Sequence, residues 1–299
     1  MTTRSKGPAA GFHWLKNGLS AASRHPKPLL GGAALLVLAC LLPSLITMPM
    51  QYHAVNAGTP PSPTFFLWST AFSMLFALAL VPLYAGYLQV VDAAERGLPA
   101  RALDVFRPYR DGMAWRLIGY GLAMFVLYIA LIGVVIAATG GTIIPWYMQA
   151  LAAQTNQLPP PGLPQGFGIT LALIVLLGLL MMGFYAISLG QVALRQRSVF
   201  GAIGDGLVGA LKNALPLLVF ALSSLVAWIV LAIAIAIVAL VLGLLGKLGG
   251  AWLSIVLIVP LYIAVILMAF TVMFGAMYHL WRDVCGDDVA TGLAQASAA

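Results

Sequence analysis

Six apolar stretches, approximately 28–48, 65–91, 117–139, 168–193, 216–244 and 252–281, hold no Asp, Glu, Lys or Arg. At 1.5 Å per residue, each is long enough to cross about 30 Å of hydrocarbon as a helix. Nothing else in the chain restricts its fold so strongly. Only 8% of its 299 residues are charged and 62% are hydrophobic, whereas soluble domains carry about 25% charged residues. The reading is an all-α integral membrane protein with six transmembrane helices.

The connectors set an orientation. Segments 1–27, 92–116, 194–215 and 282–299 hold fourteen of the fifteen basic residues and all eight acidic ones, while 49–64, 140–167 and 245–251 hold only Lys247. Basic connectors stay cytoplasmic, so both termini are expected on that side. The net charge of +7 then reads as topology and contact with anionic lipid, not as nucleic-acid binding. The first stretch is too long for a signal-peptide core and ends in a poor cleavage site, Thr47-Met48-Pro49, so it is expected to stay as a span. Trp68, Trp146, Tyr147 and Trp252 fall at outer edges and Trp14, Trp115 and Trp281 at inner ones, as in an aromatic belt. Trp228, in the middle of the fifth span, is expected to pack between helices. The Pro-rich outer connectors 58–63 and 158–164 are expected to be extended.

Asn or Asp followed by Gly occurs three times, and each time a Phe stands five residues before it: Phe12, Asn17 and Gly18; Phe106, Asp111 and Gly112; Phe200, Asp205 and Gly206. Composition predicts roughly 0.05 such matches, which argues for an internal repeat. Apolar or aromatic residues follow each Phe at +3 and +7, namely Leu15 and Leu19, Tyr109 and Met113, Ile203 and Leu207. That spacing puts three side chains on one helical face. Each unit is therefore expected as a short amphipathic helix lying in the membrane surface, followed by a hairpin of two spans. The three units run approximately 11–97, 98–197 and 198–285 within a single membrane domain, 1–285, and 286–299 is expected to be a disordered cytoplasmic tail.

The first and third copies match furthest: Pro28-Leu29-Leu30 aligns with Pro216-Leu217-Leu218, and Arg24 stands opposite Lys212. Proline in the first turn of a span costs no hydrogen bond. In the even-numbered spans, Val81-Pro82-Leu83-Tyr84 recurs as Val259-Pro260-Leu261-Tyr262, with Met182-Gly183-Phe184-Tyr185 in the equivalent place. Pro82 and Pro260 should free the carbonyls of Leu78 and Val256 and bend their helices, and Gly183 permits a bend or a close approach.

Candidate chemistry is sparse. No Asp, Glu, Lys or Arg lies inside a span, which weighs against a proton or ion path. Gln89 and Gln191, near the inner ends of spans two and four, form the candidate intramembrane polar site, or else a structural hydrogen bond. Arg96, Arg101, Arg107, Arg110 and Arg116 share the 92–116 loop with four acidic residues and form the candidate surface for phosphate headgroups or a protein partner. The alternative for that loop is topology plus local ion pairs. His279, Asp283 and Cys285 lack metal-motif spacing. Gly204 to Gly209 matches GxGxxG without a preceding strand, and no GxSxG or Walker A sequence occurs. Cys40 is expected as a small packing residue and Cys285 at the cytoplasmic surface. No catalytic residue, metal site or cofactor is expected.

Trp14-Leu15-Lys16-Asn17-Gly18, the following Arg24-His25-Pro26 and the later Phe106 with Asp111-Gly112 resemble a family of uncharacterised proteobacterial six-span inner-membrane proteins. In that family a Trp- or Phe-containing amphipathic helix with a Gly precedes a hairpin. The resemblance implies a bacterial inner-membrane location and supplies no catalytic residues. The resulting expectation is a non-enzymatic multi-pass protein that organises membrane lipids, including anionic ones, or protein partners through its cytoplasmic helices and basic loop. The alternatives are a transporter, or transporter subunit, for a neutral or amphipathic solute, and a lipid-modifying enzyme.

Overall fold

The computed structural model describes residues 3–56, 63–139, 141–155 and 158–286. Most of the 58–63 loop and all but Gly286 of the expected disordered tail lie outside them. Among the described residues every regular element is helical: α1 (Ala10–Arg24), α2 (Pro26–Asn56), α3 (Pro63–Glu95), a 3-10 turn (Ala102–Phe106), α4 (Arg107–Arg110), α5 (Ala114–Ala138), α6 (Ile143–Thr155), α7 (Phe167–Leu194), α8 (Val199–Lys212), α9 (Ala214–Gly249) and α10 (Ala251–Cys285). Six helices are long and apolar enough to cross a membrane, over Pro26–Pro49, Leu67–Glu95, Ala114–Ala138, Phe167–Leu194, Ala214–Leu244 and Val256–Cys285.

The helix order follows from local chemistry. α1 stops at a single non-helical residue, His25, and Pro26 opens α2; α8 stops at a single residue, Asn213, before α9. Proline at the third position of both spans, Pro28 and Pro216, falls where no intrahelical donor is needed. Ser198 caps α8 by accepting from the Gly201 amide.

α3, α7 and α10 touch one another and form the centre. Around them, α2 lies against α3 and α10, α5 against α3 and α7, and α9 against α7 and α10. At the end that carries both termini, α1 packs on α10, α8 on α7, and the 3-10 turn with α4 on α3. These contacts are backbone-close. A Cβ on Gly18 would stand 2.5 Å from the Val272 carbonyl and 2.7 Å from the Ala276 nitrogen, and one on Gly206 would stand 2.9 Å from the Phe184 carbonyl. Gly86 meets the Val105 carbonyl in the same way. Small residues let helices approach where lipid supplies no hydrophobic drive between them.

The packed core is confined to the terminal half of the bundle. Its largest fully buried side chains are Trp14, Trp281, Tyr87, Tyr120, Tyr278 and Phe184. Toward the far end apolar burial falls away. No described side chain of α9 beyond Phe220 is buried, none of α5 beyond Met124, and none of α10 before Thr271. Leu, Ile and Val facing lipid lose nothing by exposure, so the far halves need no tight packing.

The structure corrects several expectations. α6 is a thirteen-residue helix within the connector read as plain loop; its apolar residues point to the surface, as with Tyr147 and Met148. α9 and α10 meet at Gly250, so the 245–251 loop is almost all helix. The middle copy of the motif is not one helix: α4 ends at Asp111, Gly112 adopts a φ of +71° and Met113 donates to the Pro108 carbonyl. That turn requires glycine or a strained side chain. Trp14 and Trp281 are core residues, and of the three tryptophans expected at inner edges Trp115 alone is exposed. Trp228 is 52% exposed, because α9 faces lipid where a packed helix was expected. Cys285 is buried, while Cys40 packs on the core with its sulfur 3.4 Å from the Tyr84 hydroxyl. The two Val-Pro-Leu-Tyr stretches do not share a level: Pro82 precedes the crossing at Gly86 by four residues, Pro260 that at Gly275 by fifteen.

Candidate functional site: the charged end of the bundle

Where α1, α3 and α10 meet, ionisable groups far apart in sequence come together. Arg24, the last residue of α1, donates through Nη2 to both oxygens of Glu95 at 3.0 and 3.1 Å. The Glu95 side chain is 4% exposed and Arg24 53%. His279 brings Nε2 to 3.5 Å from Glu95 Oε2. Arg282 lies across the Tyr278 ring and donates to His279 Nδ1 at 3.3 Å. With Nδ1 accepting, the neutral imidazole carries its proton on Nε2, toward the carboxylate. Trp14 Nε1 donates to Asp283 at 2.9 Å, and Arg96 pairs with Asp92 at 2.7 Å.

The energetics assign this cluster a clamping role. A pair whose arginine is half exposed is worth about 1 kcal/mol. A buried carboxylate stripped of its partner costs about 3–5 kcal/mol. Arg24 thus matters chiefly as the compensating charge for Glu95, and it holds α1 against α3 in doing so.

A second set of contacts holds α8. Gln191 of α7 and Arg197 both donate to Asp205 Oδ2, each at 3.1 Å. An extended strap over residues 3–6 then crosses the α8–α9 joint. Asn213 donates to the Arg4 carbonyl at 3.0 Å and accepts from the Lys6 amide at 2.8 Å, Lys212 donates to the Thr3 carbonyl, and the Arg4 amide donates to Val284. No periodicity announces a strap, so nothing in the chain's pattern marks it. The ionic junction was equally hidden: Glu95 stands 184 residues from His279.

The basic loop is tied into local bonds. Arg96 holds Asp92, Arg107 holds Asp111 at 3.2 Å, and Arg110 reaches Asp104 at 3.4 Å. Arg116 donates to the Val192 and Gln196 carbonyls, fixing the start of α5 to the end of α7. The Arg101 amide donates to Asp104, which opens the 3-10 turn. Tyr109 donates its hydroxyl to the Ala79 carbonyl, in the turn loosened by Pro82, and burial raises its phenol above the ordinary value. The arginines of this loop therefore form no single converging cradle.

Gln89 and Gln191 each bury a side-chain carbonyl oxygen that has no hydrogen-bond partner. Gln89 donates to the Ala193 carbonyl at 2.9 Å and ties α3 to α7, as Gln191 ties α7 to α8. Gly183 makes a close approach to Leu217 of α9. The motif residues divide by copy: Gly18 and Gly206 face a neighbouring span while Phe12, 53% exposed, and Phe200, 84% exposed, face outward. Phe106 is partly exposed on the broken middle helix. Asn17 gives its carbonyl to Ser20. Among the described residues no group of three or more His, Cys, Asp or Glu is placed to hold a metal ion; His279 turns to Glu95 and Asp283 to Trp14. Comparison with known protein families, with curated proteins and with solved structures gives no match.

Proposed function

We propose that this chain is a non-enzymatic bacterial inner-membrane protein, with both termini cytoplasmic, that organises lipids at the cytoplasmic leaflet. The observation that carries the reading is the outward face of α1 and α8: Phe12, Leu19, Phe200, Leu207 and Leu211 stand 53–84% exposed. Their opposite faces are closed on α10 and α7 by Gly18 and Gly206. A helix with small residues against protein and large apolar ones outward, beside charged helix ends, suits the boundary between headgroups and acyl chains. The location and orientation rest on the distribution of basic residues and on the resemblance.

Three amphipathic-helix-plus-hairpin units account for the arrangement. Each unit's interfacial segment lies on the even-numbered span of the unit before it, and α1 closes the ring on α10. The one-residue joints at His25 and Asn213 occupy aligned positions in the first and third units. Solute transport is less well supported, because the amide nitrogens of Gln89 and Gln191 each donate to a neighbouring helix, although both carbonyl oxygens are buried without a partner. The ionisable groups that do converge, around Glu95, join helices to one another, which supports a scaffold more than an enzyme.

Native mass spectrometry of the protein in mild detergent tests the reading. Bound anionic phospholipid should be retained, and should fall at least several-fold in a Phe12→Ser, Phe200→Ser double variant. An unchanged lipid load, with a non-lipid solute bound and lost on Gln191→Leu, overturns it in favour of transport.

A further inference from the structure

At the far end, opposite the termini, α5 and α7 part to leave a half-open cleft of about 420 Å³, within the range of about 300–1,000 Å³ of ligand pockets. We infer that this cleft holds one acyl chain of a phospholipid from the leaflet opposite the termini. The inference goes beyond the lipid contacts of α1 and α8. It concerns the other leaflet, uses no charged residue, and stands or falls separately.

The walls set the chemistry. They are aliphatic, apart from Tyr128 and two threonines at the outer rim, Thr139 and Thr170. Both threonine hydroxyls are already spent on their own helices, Thr139 on the Val135 carbonyl at 2.8 Å and Thr170 on the Gly166 carbonyl at 3.2 Å. Water needs two to four polar partners to occupy a cavity, and these walls offer it almost none. The surrounding phase along both spans is hydrocarbon, so a hydrocarbon chain is the occupant whose chemistry matches.

The length selects a single leaflet. From Thr139 down to Tyr128 on α5, and from Thr170 down to Met181 on α7, the cleft runs eleven residues. At 1.5 Å per residue that is about 16 Å, or half of the hydrocarbon core of about 30 Å. The two helices agree on this depth independently. Below it the cleft is closed, because Met181 is 7% exposed and Tyr120 binds Ser188 at 2.7 Å across the α5–α7 interface.

Two features shape the cleft for a chain. Gly178 lines it with nothing within 4 Å of where its Cβ would stand, so the missing side chain is depth. At the rim, Ile143 begins α6, whose Trp146 lies 5.6 Å from the Phe167 ring and whose Tyr147 is 56% exposed. Aromatic residues of this kind favour the headgroup level. A phospholipid seated here keeps its headgroup beside α6 and its chain end against Met181.

The test uses the full chain in vesicles of phosphatidylethanolamine and phosphatidylglycerol. A small fraction of a phospholipid with a photoreactive diazirine at the end of one acyl chain is added. After irradiation, labelled peptides are mapped by mass spectrometry. Label should concentrate on Leu177 and Met181 and saturate as the probe fraction rises. Label on Trp228, on the lipid-facing side of α9, should rise in simple proportion. Gly178→Phe should cut labelling of Leu177 and Met181 at least ten-fold and leave Trp228 unchanged. Should that variant fail to assemble, Ile174→Trp blocks the same cleft from a half-exposed wall position. Unsaturable labelling of Met181 at the level of Trp228, or labelling indifferent to the blocking variant, overturns the assignment. Neither result bears on lipid retained at α1 and α8.

Discussion

Gly18→Ala should destabilise the protein although alanine is the better helix former. In an exposed helix the change gains about 0.5–1 kcal/mol. At Gly18 the new methyl would stand 2.5 Å from the Val272 carbonyl and 2.7 Å from the Ala276 nitrogen. Both are backbone atoms of α10, which no rotamer change can move aside. Overpacking of this kind costs about 1–3 kcal/mol, and relieving it by lifting α1 weakens the Trp14–Asp283 bond. The net loss is about 1–2 kcal/mol, or a fall in melting temperature of about 2–8 °C. Gly204 on α8 supplies the control, since nothing lies within 4 Å of its Cβ position; Gly204→Ala should raise the melting temperature by about 1–4 °C. The chain carries its own reporter: a thiol-reactive dye gains fluorescence as Cys285, 5% exposed when folded, is uncovered on heating. If Gly18→Ala melts at or above the unmodified protein, close backbone contact does not hold α1 on α10, and the packing argument fails.

Three further outcomes are expected. Arg24→Ala should be more harmful than the Arg24→Ala, Glu95→Gln double variant, because only the single change leaves a buried carboxylate uncompensated; equal melting temperatures would remove the clamping role. Asn213→Ala should release the strap and speed proteolysis near Arg4 and Lys6 without a comparable change in the spans, as followed by peptide mapping. Trp228→Leu should shift stability by less than about 0.5 kcal/mol in the same thermal assay, and a large loss would mean that α9 is covered in the membrane after all.

The six spans were legible because lipid imposes one rule on every residue it touches, and apolar length reads directly from the chain. The motif glycines were legible for a related reason: Gly18 and Gly206 allow a crossing that any side chain blocks. What stayed hidden depends on pairs. Charge patterning along α3 cannot reveal that Glu95 meets Arg24 and His279, since the bond depends on how α1 and α10 cross. Trp14 and Trp281 read as belt residues because a tryptophan near a span end is ambiguous until its neighbours are known. Gln89 and Gln191 read from the chain as a polar site or, preferably, as ties between helices; which helices their amide nitrogens join, α3 to α7 and α7 to α8, depends on the packing.

The contact between Gly18 and Gly275 also sets an order of assembly. The two residues are separated by 257 positions. At synthesis rates of about 5–20 residues per second, α1 is made about 13–51 s before the surface it finally occupies. During that interval it has neither α10 nor α9 to cover Trp14. The side of α1 that carries Trp14 and Gly18 therefore stays without its final protein cover until the last helix arrives.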